Sequence, residues 1–147
     1  SARVAALDAL ARRDHASDDL RRKLLEKGYD AAVVAPLLDA LRAERLLDDR
    51  RYTENFVAYH AARGQGPLRV RAELRRHGLA GDAVEECLDA YPDWDAQLRQ
   101  ARQKKFGAKP PSNYAEKQRQ VRFLGYRGFT SAQIRTALGV DIDLDAD

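Results

Sequence analysis

Apolar positions in this chain return with a long and regular period. Leu24, Leu74 and Leu124 stand 50 residues apart, followed at the same interval by the Gly-apolar pairs Gly28-Tyr29, Gly78-Leu79 and Gly128-Phe129. Val34, Val84 and Ile134, then Leu38, Leu88 and Leu138, continue in register. Such a period is the mark of one supersecondary unit copied three times. Within each copy the apolar residues recur at three and four, and no segment alternates with period two for long enough to make a strand, so the chain reads as all-α. Each copy holds three helices, A, B and C, with the repeated Gly closing B and joining it to C.

In the first copy Leu7 and Leu10 mark helix A, and Ser17 is placed to cap helix B, with Asp18 and Asp19 in its first turn. Leu20, Leu24 and Leu25 give helix B its apolar stripe, which stops at Gly28. Asp30 caps helix C, which runs to about Leu47 and contains Pro36, where a kink or a late start is expected.

The second copy opens at Asp48 or Asp49 with Tyr52, Phe56 and Tyr59 as its stripe. Pro67 takes the first position of helix B, which turns Val70 and Leu74 inward and Arg69, Arg71, Arg75 and Arg76 largely outward. Asp82 and Glu85 have capping-box spacing at the start of helix C. The third copy begins at Asp93 with Trp94, Leu98 and Ala101. Gly107, Pro110 and Pro111 then interrupt it within an insertion of eight residues near 106–113. Helix B follows from about Asn113 to Arg127, and Thr130 with Gln133 forms a capping box for a short last helix ending at Gly139.

The expected architecture is three tandem three-helix, helix-turn-helix-like repeats forming an elongated, curved array. Their bounds are 1–47, 48–92 and 93–139, with an acidic tail at 140–147 that carries Asp141, Asp143, Asp145 and Asp147. At 147 residues, each copy of about 45 is near the size at which a lone core is marginal, so neighbours must pack on one another.

Composition narrows the chemistry. Charged residues at 33% and apolar ones at 44% describe an ordered chain without a membrane span or a secretory leader. The single Cys87 excludes an internal disulfide and suits a reducing cytoplasm; its register with Leu37 and Ala137 makes it core. His15, His60 and His77 have no metal-ligand spacing and read as solvated or capping residues. No phosphate-cradling loop follows a strand, and the paired carboxylates sit at helix starts or on helix faces. Catalysis, a metal and a cofactor are therefore not expected.

What remains is basic. Arg12, Arg13, Arg21, Arg22, Lys23 and Lys27 gather in the first copy, Arg63, Arg69, Arg71, Arg75, Arg76 and His77 in the second, and Lys104, Lys105, Lys109, Lys117, Arg119, Arg122 and Arg127 in the third. Net charge is only +3, so distribution decides, and the second and third clusters are the favoured footprint for an anionic partner. Contact candidates are Arg69, Arg71, Arg75, Arg76, Lys104, Lys105, Lys117, Arg119, Arg122 and Arg127. A solvated helix face is the plainer account of any one of these cations. Tyr114 and Tyr126 offer stacking surface, whereas Phe129 reads as core. Helix C, the would-be reading helix of a helix-turn-helix, carries side chains suited to base edges only in the third copy, so sequence-specific reading is the weaker option.

Several of these segments resemble the RecX family, bacterial regulators of the RecA recombinase, over essentially the whole length. They are Ala9 to His15, Leu20 to Leu24, Lys27-Gly28-Tyr29, Leu47 to Tyr52, Gly64-Gln65-Gly66 and Arg122 to Phe129. Relative to that family the start of the chain looks trimmed. The resemblance implies a non-enzymatic modulator, expected as a monomer, that binds RecA, chiefly its filament on single-stranded DNA. It further implies inhibition of ATP hydrolysis, strand exchange and co-protease activity. Asp49, Arg51 and Tyr52 are then assigned to capping and packing of helix A. The alternatives are an autonomous tandem helix-turn-helix DNA-binding protein and a passive helical scaffold.

Overall fold

The computed structural model describes residues 1–139, so the expected acidic tail lies outside the described part. The described residues form nine helices and no strand: α1 (Ala2–Arg12), α2 (Ser17–Glu26), α3 (Ala31–Ala43), α4 (Asp49–Ala62), α5 (Pro67–Arg76), α6 (Asp82–Ala90), α7 (Trp94–Phe106), α8 (Tyr114–Tyr126) and α9 (Ser131–Leu138). They divide into two compact units, one of Ser1–Asn55 with Leu74–Cys87 and the other of Phe56–Glu73 with Leu88–Asp147. Each of the middle three helices therefore contributes to both units.

In the first unit α1, α2 and α3 pack pairwise around Ala6, Ala9, Leu20, Leu24, Val34, Leu38, Leu41 and Leu47. The buried face of α1 is Ala2, Ala6 and Ala9, while Leu7 and Leu10 are only partly covered. Small side chains win that face because they let the helix approach its neighbours closely. α3 starts at Ala31, with Asp30 accepting from the Ala32 N–H at 3.0 Å, and runs through Pro36 without the late start that Pro36 suggested. It ends at Ala43, short of Leu47, where Arg45 takes φ +60° and turns the chain.

All three copies close helix B in the same way. The Tyr29, Leu79 and Phe129 N–H groups reach back to Leu24, Leu74 and Leu124, and the Gly28, Gly78 and Gly128 N–H groups to Leu25, Arg75 and Gly125. These paired bonds make a Schellman stop, which needs positive φ at the Gly, here +94°, +74° and +97°. Core burial repeats as well: Val34, Val84 and Ile134 are all buried.

Ser17 does not cap α2. It is the first helical residue; its N–H donates to Asp49 Oδ1 at 2.7 Å, and its hydroxyl lies 3.3 Å from Arg42 Nε. Asp49 thus serves the start of a helix in the preceding copy, and it is Asp48 that accepts from the Arg51 N–H in the first turn of α4. Arg51 reaches the Arg45 carbonyl and Asp14, both at 3.3 Å. On α4 the buried positions are Thr53, Val57 and Ala61, one residue round from the aromatic stripe, and Tyr59 is exposed. Asp82 lies inside α6 instead of ahead of it, so the capping box expected there is out of register. The histidines also differ from expectation. His15 is buried, with Nδ1 3.0 Å from the Arg13 carbonyl and its protonation disfavoured mainly by burial, and His77 Nδ1 lies 2.7 Å from Asp19 Oδ2. Cys87 is a core residue whose thiol pKa is raised by burial.

In the second unit α7, α8 and α9 enclose Leu98, Leu124, Phe129 and Ile134, with Trp94, Val121 and Phe123 packed against them. α7 stops at Gly107 and α8 starts under an Asn113 cap that accepts from the Glu116 N–H, leaving the insertion between them as loop. Thr130 and Gln133 form the expected capping box on α9. Gln120 occupies the buried position held by Leu20 and Val70 in the other copies. Its Oε1 accepts from Arg102 Nε at 2.8 Å, and Arg102 also donates to the Lys109 carbonyl at 3.2 Å. A core polar group is thereby satisfied while the insertion is tied to α7.

Two close approaches hold successive copies together, one inside each unit. In the first unit a Cβ on Gly78 would stand 2.7 Å from that of Asp18. In the second, the Gly66 N–H donates to the Arg127 carbonyl at 2.7 Å and the Leu68 N–H to the Gly128 carbonyl at 2.9 Å. Gly28 belongs to the first copy, and a Cβ there would meet nothing within 4 Å.

Candidate functional site

Acids at helical spacing hold many cations of the first unit, as Asp95 and Glu116 hold Arg99 and Arg119 in the second. Arg21 meets Asp18 at 2.8 Å, Arg22 meets Asp19 at 2.6 Å and Asp18 at 3.3 Å, and Arg42 meets Asp39 at 2.8 Å. Arg3 pairs with Glu44, Arg50 with Glu54 and Glu86, and Arg51 with Asp14. Exposed pairs of this kind stabilise little, but they cancel the outward field. Arg75 and Arg76, two of the contact candidates, fall in this unit at the end of α5, where the Arg76 carbonyl accepts from Arg22 Nη2 at 3.3 Å.

The second unit contains a half-open cleft of about 320 Å³ between α7, α8 and the turn that ends α4. Arg63, Lys104, Lys105 and Arg127 line it together with Gln97, Gln100, Ala101 and Phe123, and among the described residues no carboxylate does. Among the described residues none of these four cations has an ion-pair partner within reach. Three of them lean on aromatic rings instead. Arg63 Cζ lies 4.4 Å from the Tyr59 ring centre, Lys105 Nζ 5.8 Å and Arg127 Cζ 5.5 Å from that of Phe123. The Phe123 ring is held edge-on by Phe106 at 5.3 Å. Cation–π contact of this kind orients a cation without neutralising it, so the positive potential of the cleft stays available to an anion.

Of the ten candidates the structure thus gathers Lys104, Lys105 and Arg127 at one cleft. Arg63, named only as a member of its cluster, completes the group. Arg69 is exposed on α5, its backbone N 2.6 Å from where a Cβ on Gly128 would lie, whereas Arg71 is half-buried. Lys117 is half-buried on α8. Arg119 sits 5.3 Å from the Phe106 ring centre and 3.5 Å from Glu116, away from the cleft lining, and Arg122 is exposed on α8. Tyr114 and Tyr126 are exposed and Phe129 is core, as the pattern predicted. Gln97 and Gln100 carried no signal in the sequence, because glutamine on a helix face is ordinary until the fold turns it toward a cluster of cations.

Other chemistry finds little footing. No three His, Cys, Asp or Glu side chains among the described residues gather as a metal site, and no helix among them is long and apolar enough to cross a membrane. At the start of α9 the Thr130 hydroxyl, one of the groups suited to base edges, is engaged: Thr130 Oγ1 accepts from the Gln133 N–H at 3.1 Å, and Gln133 Oε1 from the Thr130 N–H at 2.8 Å.

Comparison with known proteins agrees with this architecture. Three family models match in order: RecX, first three-helix domain, over residues 2–41; RecX, second three-helix domain, over 48–88; and RecX, third three-helix domain, over 93–138. The Regulatory protein RecX of Halorhodospira halophila is 47% identical over 136 residues, covering 92% of this chain and 84% of that protein. That of Ectopseudomonas mendocina is 43% identical over 129 residues, covering 87% and 86%. Among solved structures, the crystal structure of RecX from Lactobacillus salivarius superposes with a TM-score of 0.82 at 19% identity, over 93% of this chain and 92% of that one. A second, the crystal structure of regulatory protein RecX, gives 0.76 at 22% identity, over 92% and 70%. With all three of its three-helix domains matched in order and these relatives aligned along most of its length, the chain belongs to the RecX family of regulatory proteins.

Proposed function

We propose that this protein binds the RecA recombinase, chiefly its filament on single-stranded DNA, and lowers its recombinase, ATPase and co-protease activities. Membership of a family named for regulation supports the reading. The observation that carries it is the concentration, at one cleft of the second unit, of cations with no ion-pair partner among the described residues. A filament on single-stranded DNA is polyanionic and repetitive, and a chain of tandem domains meets such a target through several modest contacts whose effects multiply. We place the protein in the cytoplasm as a monomer that acts without catalysis. The sequence-reading alternative has less support, because the Thr130 hydroxyl, one of the groups suited to base edges, caps α9.

Addition of the purified protein to RecA turning over ATP on single-stranded DNA tests the proposal. Hydrolysis is expected to slow at substoichiometric protein. An unchanged rate at equimolar protein would overturn the reading.

A further inference from the structure

The lining of the cleft specifies more than charge. Arg63, Lys104, Lys105 and Arg127 supply only donors and positive potential, which any anion would accept. Gln97 and Gln100 add amides that both donate and accept, and Phe123 adds an apolar floor. The Gln97 amide already lies 3.3 Å from the Tyr91 hydroxyl, which orients it. Simple anion capture has no use for an acceptor or a ring, and the side-chain carboxylates of an acidic peptide engage donors alone. A nucleotide unit of a single strand uses all three, with its phosphate on the cations, its base edge on the amides and its base against apolar surface. The volume of about 320 Å³ is at the small end of ligand pockets, suited to one such unit and too small for a folded partner element.

We infer that this cleft takes one nucleotide of single-stranded nucleic acid, its backbone phosphates lying across Lys104, Lys105, Arg127 and Arg63. This deepens the reading of the protein as a regulator on single-stranded DNA by naming the surface that meets the strand. Arg127 is the residue that couples the site to the fold, since its carbonyl accepts from the Gly66 N–H while its guanidinium lies over Phe123. The backbone that joins the second copy to the third therefore also carries a residue of the cleft.

The test uses the full chain, a fluorescent twenty-nucleotide oligo-dT and no RecA, so its failure is separate from failure of RecA inhibition. Anisotropy is followed from 50 to 300 mM salt. Lys104→Gln with Lys105→Gln is expected to weaken binding about tenfold and to flatten the slope of log K against log salt by about 0.7, the share of one phosphate no longer neutralised. Arg127→Gln alone should flatten it by at most about as much, through the phosphate on the other side of the seated nucleotide. The charge-matched control Arg12→Gln with Arg13→Gln, on the exposed end of the first copy, should stay within about twofold of the parent. An abasic strand of equal length should bind several-fold more weakly than oligo-dT. Equal loss in the Lys104/Lys105 pair and the control, equal affinity for the abasic strand, or displacement of oligo-dT by a polyglutamate of matched charge would each overturn the inference. Circular dichroism confirms that each variant is folded.

Discussion

Gly66→Ala is expected to destabilise the second unit by about 4 kcal/mol. A Cβ at this position would stand 2.3 Å from the Gly128 carbonyl carbon and 2.3 Å from the Phe129 nitrogen. Both are backbone atoms, so no rotamer change relieves the overlap. The segments must separate, and separation breaks the bonds from the Gly66 N–H to the Arg127 carbonyl and from the Leu68 N–H to the Gly128 carbonyl. Overpacking of about 1–3 kcal/mol adds to the loss of two hydrogen bonds at about 1 kcal/mol each. Gly28→Ala is the internal comparison. It shares the positive φ of the repeat, but its Cβ would enter open space, so only the local strain of about 1–2 kcal/mol applies. Trp94, the only tryptophan in the chain, packs against the core of the second unit and reports its unfolding by fluorescence. Denaturant titration should show an early Trp94 transition for Gly66→Ala and a nearly parental one for Gly28→Ala.

Phe129→Ala should remove about 3–5 kcal/mol from the same unit. Phe129 is 2% exposed and packs with Leu98, Leu124 and Ile134 beneath the Schellman turn that its own N–H closes. Truncation leaves a cavity whose walls are three helices already fixed by their caps, so collapse around it is limited. The equivalent residue in the first copy, Tyr29, is only partly buried, its hydroxyl 3.2 Å from the Ser1 carbonyl. Tyr29→Ala should therefore lower stability by only about 1–2 kcal/mol. The 50-residue period makes these two positions equivalent in register, yet burial makes them unequal in weight.

That contrast marks where the sequence was informative. Positions set by backbone geometry were legible, because a Schellman stop demands a residue tolerant of positive φ and then an apolar anchor. Gly28, Gly78 and Gly128, with the residues after them, meet that demand in each copy. Positions set by packing distance were less so. Tyr52, Phe56 and Tyr59 share the helical period of Thr53, Val57 and Ala61, so the period alone does not show that the smaller set is the one buried. Ala2, Ala6 and Ala9 likewise displaced Leu7 and Leu10 on α1. Ser17 was misassigned because the acid that serves its N–H, Asp49, arrives from the next copy.

The candidate site was legible as charge but not as a place. The acids that neutralise Arg21 and Arg22 stand three and four residues before them, so their cancellation can be read from spacing. Lys104 and Arg127 are far apart in sequence, and only the packing of α7 against α8 brings both to one cleft. Gln120 could have been noticed as a polar residue in an apolar register, although its satisfaction by Arg102 needed the fold.

On the function proposed above, the cations of this cleft, which have no ion-pair partner among the described residues, carry the regulatory contact, and basic charge in general does not. The most direct measurement compares inhibition of RecA ATP hydrolysis on single-stranded DNA by the parent and by a variant with Lys104, Lys105 and Arg127 each replaced by Glu. With the fold intact by circular dichroism, the half-inhibiting concentration of the variant is expected to rise at least about tenfold, as reversal at a charged interface should produce. An inhibition curve that superimposes on that of the parent would contradict the account.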